Sequence, residues 1–337
     1  MLLGGNMKDI FSCIAVIIGT IIGAGFASGK EIINFFNEYG SNGLIGIIIA
    51  SIIFGFVTFL TILTVKKRDI TKYNFLVNNK FMTFVLQMFS LVCFCIMISA
   101  VGAFFEEQLN INFWIGTGLA SSISYIMFLN KFNGIEKFSL LLVPLILVGI
   151  LILGFSNYDG IEIKNNMDIV VKENSNFILS GILYASYNSL ILVPILINFR
   201  KYSLNKEKIF LIGVATLVIL ASLMLIIYNI NNLFYPEITN VELPNMLIAS
   251  LLSKEFKIIY GLVLLSAIFT TAFSSGFSFL EMRKKENYEK NALFICIIAF
   301  LCAKFGFSNL MRICYPIFGY FGIFQIILII KKYIRSK

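Results

Sequence analysis

The chain has no histidine, one tryptophan and five prolines, and only 13% of its 337 residues are charged. Without histidine there is no imidazole base, no imidazole proton relay and no Cys/His zinc site. A soluble domain carries about a quarter charged residues, so this composition excludes an ordinary soluble fold. The six cysteines, Cys13, Cys93, Cys95, Cys296, Cys302 and Cys314, all lie in apolar runs and read as small apolar fillers. No cysteine stands beside a base and no two carboxylates pair inside an apolar run, so the sequence offers no catalytic residue and the chain is not expected to be an enzyme. Residues 10–28 do not read as a cleaved signal peptide: the basic n-region is weak and the apolar pattern resumes after Glu31. Met7 offers a second start, and the sequence does not choose between it and Met1.

Apolar residues make up 58% of the chain and the mean hydropathy is +0.89. About ten runs reach the roughly 20 residues needed to cross a bilayer as a helix. The fold class is therefore an all-α polytopic membrane protein, a single domain over 1–337. Spans are expected near 9–37, 43–65, 80–105, 112–129, 135–155, 176–199, 208–229, 257–281, 291–306 and 309–331. A β-barrel would show alternating ten-residue segments instead. The net charge of +9 suggests nucleic acid only until the cations are placed. About 20 of the 27 Lys and Arg fall at the N-terminus, in "KKRDITK", "NKFNGIEK", "RKYSLNKEK" and "RKKENYEK" or in the tail "KKYIRSK". The opposite loops carry Glu106, Glu107, Asp159, Glu162, Glu237 and Glu242. The positive-inside rule then puts both termini in the cytoplasm of a multi-pass cell-membrane protein, with the lipid bilayer rather than nucleic acid as its partner.

Five spans in each half, 9–155 and 176–331, require the second half to enter from the opposite side, the pattern of an inverted repeat. Residues 21–28, "IIGAGFAS", can be laid over 182–189, "ILYASYNS", each in the first span of its half. The extracellular segment 230–256 has an amphipathic second half, too short to span, that reads as an external helix or lid.

The stretch "GTIIGAGFASGKEI" places Gly19, Gly23, Gly25 and Gly29 within eleven residues of the first span, followed by Lys30 and Glu31. Each glycine weakens a helix by about 1 kcal/mol relative to alanine. Non-helical backbone survives at membrane depth only where it lines protein or a cavity. A break here would free N–H groups for an anionic group and carbonyls for a small cation. Small-xxx-small packing of helices is the other reading of Gly19/Gly23 and Gly25/Gly29. In the sixth span Tyr184, Ser186, Tyr187, Asn188 and Ser189 form a polar cluster before Pro194. In the eighth, Ala267, Thr270, Thr271, Ser274, Ser275 and Ser278 recur at helical spacing, suited either to a hard cation or to gluing two helices.

"GTIIGAGFASGKE" resembles the first-helix motif of the amino acid–polyamine–organocation superfamily, whose members have the LeuT-type fold, and is most similar to its YkvI-like bacterial membrane proteins. The resemblance implies a five-plus-five inverted repeat with helices 1 and 6 unwound at mid-membrane around the substrate. It implies a substrate site on Gly23, Ala24, Gly25, Phe26, Ala27, Ser28 and Gly29 facing Tyr184, Ala185, Ser186, Tyr187 and Asn188. It also implies one Na⁺ as coupling ion, held by the carbonyls of Gly19, Ile22 and Ala267 and the hydroxyls of Thr270 and Thr271. A second Na⁺ site of some relatives uses an Asn where this chain has Phe26. The lysine that proton-coupled relatives carry in span five has no counterpart in "FSLLLVPLILVGILILGF". Relatives close the outer vestibule with an ion pair between helices 1 and 10, which maps to Glu31 and Arg312.

The expected function is therefore a secondary active transporter, a Na⁺-coupled symporter of an amino acid or similar small zwitterion, with no organic cofactor. A H⁺-coupled or uncoupled carrier, or a non-transporting amino-acid receptor subunit, shares the same sequence features. Substrate identity, oligomeric state and an obligate protein partner are not written in these motifs.

Overall fold

The computed structural model describes residues 4–130, 135–156, 176–282 and 287–335, and its regular structure among them is all helical. Expectations resting on Asp159, Glu162 and most of the "KFNGIEK" and "RKKENYEK" loops lie outside the described residues or their described side chains.

The first apolar run folds as three pieces, α1 (Gly4–Ile21), α2 (Ala24–Ala27) and α3 (Lys30–Phe35), followed by a 3₁₀ turn over Asn37–Asn42. Then come α4 (Gly43–Arg68), α5 (Tyr73–Val77), α6 (Lys80–Leu109), α7 (Phe113–Leu129) and α8 (Ile135–Phe155). The second half contains α9 (Phe177–Leu196), α10 (Lys206–Leu233), α11 (Pro244–Leu252), α12 (Lys254–Glu281), α13 (Tyr288–Cys302) and α14 (Phe307–Ile334). Six of these elements are long and apolar enough to cross a membrane: the 37–68 unit ending in α4, α6, the 177–201 unit beginning with α9, α10, α12 and α14. The helices α7 and part of α8 are shorter apolar segments. Helices overrun the apolar runs by a few residues because a helix continues past the hydrocarbon edge wherever its caps lie. Asn79, Asn205 and Ser253 accept such cap bonds ahead of α6, α10 and α12.

The core is organised around α9, which packs against α4 on one side and α14 on the other. A helix buried nearly all round must be apolar or internally satisfied all round. Leu183, Leu190, Leu192 and Val193 meet the first requirement. Asn188 and Ser189 meet the second, donating to the carbonyls of Tyr184 (3.0 Å) and Ser186 (2.6 Å). Glycines set the spacing of this core. A Cβ on Gly322 of α14 would strike the Ser186 carbonyl, and one on Gly181 of α9 would strike that of Gly46 of α4. Because α9 runs unbroken from Phe177 to Leu196, the sixth span is not unwound at mid-depth, contrary to the sequence expectation. The physical reason is local. Its polar cluster contains no glycine, and Pro194 falls in the last turn, where it removes a backbone bond without opening the centre.

The two ends of the bundle differ. At the end that includes the first turns of α1, Arg200 pairs with Asp69 at 2.8 Å and Lys66 donates to the carbonyls of Arg200 and Tyr202. At the other end, the segment containing α11 folds over the broken first span, its Asn245 bonding Ala27 and Ser28.

Candidate functional site

The last α-helical bond of α1 runs from Ile22 N–H to Ile18 O at 2.9 Å. Gly23 is then extended, with φ −94° and ψ −170°. After the single turn of α2, Gly29 takes φ +83°, a left-handed conformation that side chains disfavour, and the chain re-enters helix as α3. The glycine-rich stretch is thus a double break. Gly19 also packs closely, its Cα side facing Val143 of α8, so close packing and the break coexist.

A break frees backbone polar groups, and each must be accounted for. On the far side of α2 the carbonyls are taken by distant elements. Ala27 O accepts from Tyr260 Oη (2.6 Å) and Asn245 Nδ2 (2.9 Å), and Ser28 O accepts from the Asn245 amide (2.9 Å). Ser28 Oγ donates to Gly25 O at 2.8 Å. On the near side the accounts stay open. Among the described residues no hydrogen bond reaches the carbonyls of Gly19, Thr20 or Ile22. These carbonyls end α1 where α2 packs on α12. Thr271 Oγ1 lies 3.8 Å from the position a Cβ on Gly23 would take, and it makes no hydrogen bond among the described residues. Thr270 Oγ1 donates to Ala267 O at 3.0 Å. Of the five residues expected to hold a cation, Gly19 and Ile22 have carbonyls and Thr271 a hydroxyl without a hydrogen-bond partner among the described residues.

Phe26, Tyr184, Ala185, Ser186, Tyr187 and Asn188 are all buried around the break. The Tyr184 and Tyr187 rings meet edge to face at 5.6 Å. Phe35 and Phe36 pack on Tyr184 at 5.3 and 5.0 Å, and Tyr315 stacks on Tyr187 at 4.4 Å. Inside this aromatic wall sits the carboxylate of Glu31, only 6% exposed. Its Oε1 occupies the space a side chain on Gly25 would need. Its Oε2 accepts from Tyr184 Oη at a long 3.5 Å. The Tyr187 hydroxyl faces the same carboxylate outside hydrogen-bond geometry, and neither it nor Ser186 Oγ has a partner.

This placement corrects the expected gate. Arg312 reaches Glu38 at 3.9 Å rather than Glu31. Gly29 resets the helix, so Glu31 turns inward toward α9 while Glu38, beyond α3, reaches α14. Lys30 is 3% exposed and donates to the carbonyls of Thr239 (2.7 Å) and Val241 (2.6 Å). Glu107 instead accepts from the amides of Glu242 and Leu243, and Glu242 accepts from the Ser308 amide that opens α14. Lys30, Glu107, Glu242 and Asn245 therefore fasten the 237–252 segment over the break. The sequence reading missed Asn245 and Tyr260, which carry no motif and act across more than 200 residues of chain.

No family model matches the chain. Two curated relatives from Bacillus subtilis (strain 168) match nearly end to end. The uncharacterized membrane protein YkvI is 26% identical over 327 residues, covering 90% of each chain. The uncharacterized protein YyaD is 25% identical over 343 residues, covering 96% of each. Among solved structures, Mhp1 in its inward-facing conformation superposes with a TM-score of 0.59 at 9% identity, covering 96% of this chain and 76% of that one. A manganese transporter from Eremococcus coleocola gives 0.57 at 12% identity, covering 94% and 77%. The fold is one that transporters use. It is the LeuT-type fold that the first-span motif resembles; YkvI is named a membrane protein and the Eremococcus coleocola chain a manganese transporter.

Proposed function

We propose that this protein is a secondary active transporter working by alternating access, a Na⁺-coupled symporter of a small amine-bearing solute such as an amino acid or similar zwitterion. The observation that carries the reading is the open end of α1. The carbonyls of Gly19 and Ile22 accept no hydrogen bond among the described residues, and Thr271 Oγ1 lies 3.8 Å from the position a Cβ on the neighbouring Gly23 would take. An unsatisfied carbonyl away from water is costly, and a hard cation bound by oxygen ligands would relieve that cost. The substrate would lie on the other face of the same break, between α2 and the tyrosines of α9. Ion and solute would then share one backbone element, which is the physical requirement for coupling: each must bias the same two-state structure. The charge bias of the loops supports both termini being cytoplasmic.

Ligands that bind only the folded state raise its stability by mass action. Purified protein should therefore unfold at a higher temperature in NaCl than in KCl at equal ionic strength, and Thr271→Val should remove the difference. Identical unfolding in the two salts, or a solute response that follows pH and ignores Na⁺, would replace this reading with a proton-coupled or uncoupled carrier. Solute binding without any uptake would replace it with a receptor.

A further inference from the structure

We propose that a groove where α4, α5 and α14 end binds the phosphate of an anionic membrane lipid, held by Lys67, Arg68 and Lys332. The site lies away from the broken first span and stands whatever the protein carries.

The groove follows from how these elements finish. The last turn of α4 carries Lys66, Lys67 and Arg68, and that of α14 carries Lys331 and Lys332. The helix dipole favours cations there. Asp69 and Asn78 then take left-handed conformations, φ +50° and +48°, at the ends of α4 and α5. Between these two turns the short α5 helps to close a groove of about 680 Å³, with Lys67, Arg68 and Lys332 in its wall.

The cations around it divide into two groups. Lys66 is committed to the carbonyls of Arg200 (3.2 Å) and Tyr202 (2.6 Å), and Arg200 pairs with Asp69 at 2.8 Å. Lys67, Arg68 and Lys332 make no side-chain hydrogen bond or ion pair among the described residues. Asp69 is the acidic residue of the groove and already faces a cation, so three positive charges stand unbalanced around one concave surface. They repel one another until an anion comes between them. Arg68 and Lys332 are also half-buried, which restricts where their charged heads can go.

The lining selects the anion. Arginine presents a planar fork of donors that matches phosphate oxygens, and lysine adds a point charge. Thr71 and Asn78 bring uncharged donors to the same wall. An acyl chain needs apolar surface that begins at the headgroup, and Phe75, which also lines the groove, is 60% exposed. The groove opens at the ends of α4 and α14, two helices long and apolar enough to cross a membrane. A soluble phosphate would gain nothing from Phe75. Basic pockets between membrane helices suit anionic headgroups for these reasons, and the loop charges favour the inner leaflet as their source.

Full-length protein in detergent is titrated with dioctanoyl phosphatidylglycerol, dioctanoyl phosphatidylcholine, glycerol 3-phosphate and sodium phosphate at fixed ionic strength, with thermal unfolding as the readout. Phosphatidylglycerol should stabilise the protein at concentrations where the other three do not. Lys67→Gln, Arg68→Gln and Lys332→Gln should each weaken that response about fivefold, and the triple variant about 100-fold. Lys67→Arg, which keeps the charge, should retain it, and Phe75→Ser should weaken it several-fold. Lys72→Gln and Lys331→Gln, beside the groove cations but outside its lining, should change it by less than about twofold. These side chains are exposed or half-buried, and the unfolding temperature without lipid checks that each variant folds. Equal stabilisation by phosphatidylcholine, no response to phosphatidylglycerol, or an unchanged triple variant would overturn the proposal. So would Lys72→Gln costing as much as Arg68→Gln, which would mark a diffuse surface field. Glycerol 3-phosphate or inorganic phosphate acting as well as the lipid would overturn it in favour of a soluble phosphate.

Discussion

Gly25→Ala tests the centre of the site with one methyl group. Gly25 lies within α2 with no left-handed backbone requirement, so alanine fits the backbone and gains about 1 kcal/mol of helix propensity. Its Cβ would take the space of Glu31 Oε1, with Cδ at 2.8 Å and Cγ at 3.0 Å. The carboxylate must therefore move. Turning it off its rotamer costs about 0.5–1.5 kcal/mol, and overpacking a buried site costs about 1–3 kcal/mol. The bond lost to Tyr184 Oη is long and adds little. The net is a destabilisation of about 0.5–3.5 kcal/mol, a fall in Tm of a few degrees that leaves a folded, monodisperse protein. Solute affinity should fall far more, by about 30-fold, because the displaced carboxylate no longer faces the aromatic wall. Thermal unfolding without solute measures the first effect, and a solute titration measures the second. Undiminished solute affinity in Gly25→Ala would refute the placement of Glu31 and return Gly25 to a pure packing role. Gly25→Leu is the stronger form of the same test and should abolish binding.

Thr271→Val should remove Na⁺ stabilisation more completely than Thr270→Val, because the Thr271 hydroxyl has no hydrogen-bond partner among the described residues while that of Thr270 is engaged with Ala267 O; equal Na⁺ responses in both variants and the wild type would remove the ion from this position. Lys30→Met deletes two charge-assisted bonds to Thr239 and Val241, each worth about 1.5–3 kcal/mol, and should speed amide hydrogen exchange across 237–252; unchanged exchange there would show that the segment is held by other contacts. Arg312 is 57% exposed and 3.9 Å from Glu38, so Arg312→Gln should cost no more than about 1 kcal/mol. Glu31→Arg combined with Arg312→Glu should give no rescue in uptake, since the two side chains are not partners; recovery of the double variant would revive the outer ion pair.

The long spans were legible because an apolar run of helical length has few other uses, and α4, α6, α10, α12 and α14 lie where the runs predict them. The interruption near Gly23 was legible for the opposite reason, four poor helix formers where a plain span would use none. The continuity of α9 was hidden. Its Tyr, Ser and Asn residues look like an exposed polar patch in the sequence, yet Asn188 and Ser189 are satisfied by carbonyls within their own helix. The direction of Glu31 was hidden as well. Helical periodicity carries a face forward only while the backbone stays helical, and the positive φ of Gly29 discards the register before α3 begins. Asn245 and Tyr260 could not be read at all, because a carbonyl freed at Ala27 does not specify which distant donor will reach it.

The central claim is that ion and solute meet at one break and move together. Reconstituted protein should accumulate the labelled solute that stabilises it best, against that solute's own gradient, when an inward Na⁺ gradient is imposed. Replacing Na⁺ by K⁺, or Thr271 by Val, should abolish the accumulation, while Glu31→Gln should abolish it even with Na⁺ present. Equal uptake in Na⁺ and K⁺ by the wild type, or full accumulation by Thr271→Val, would contradict the account.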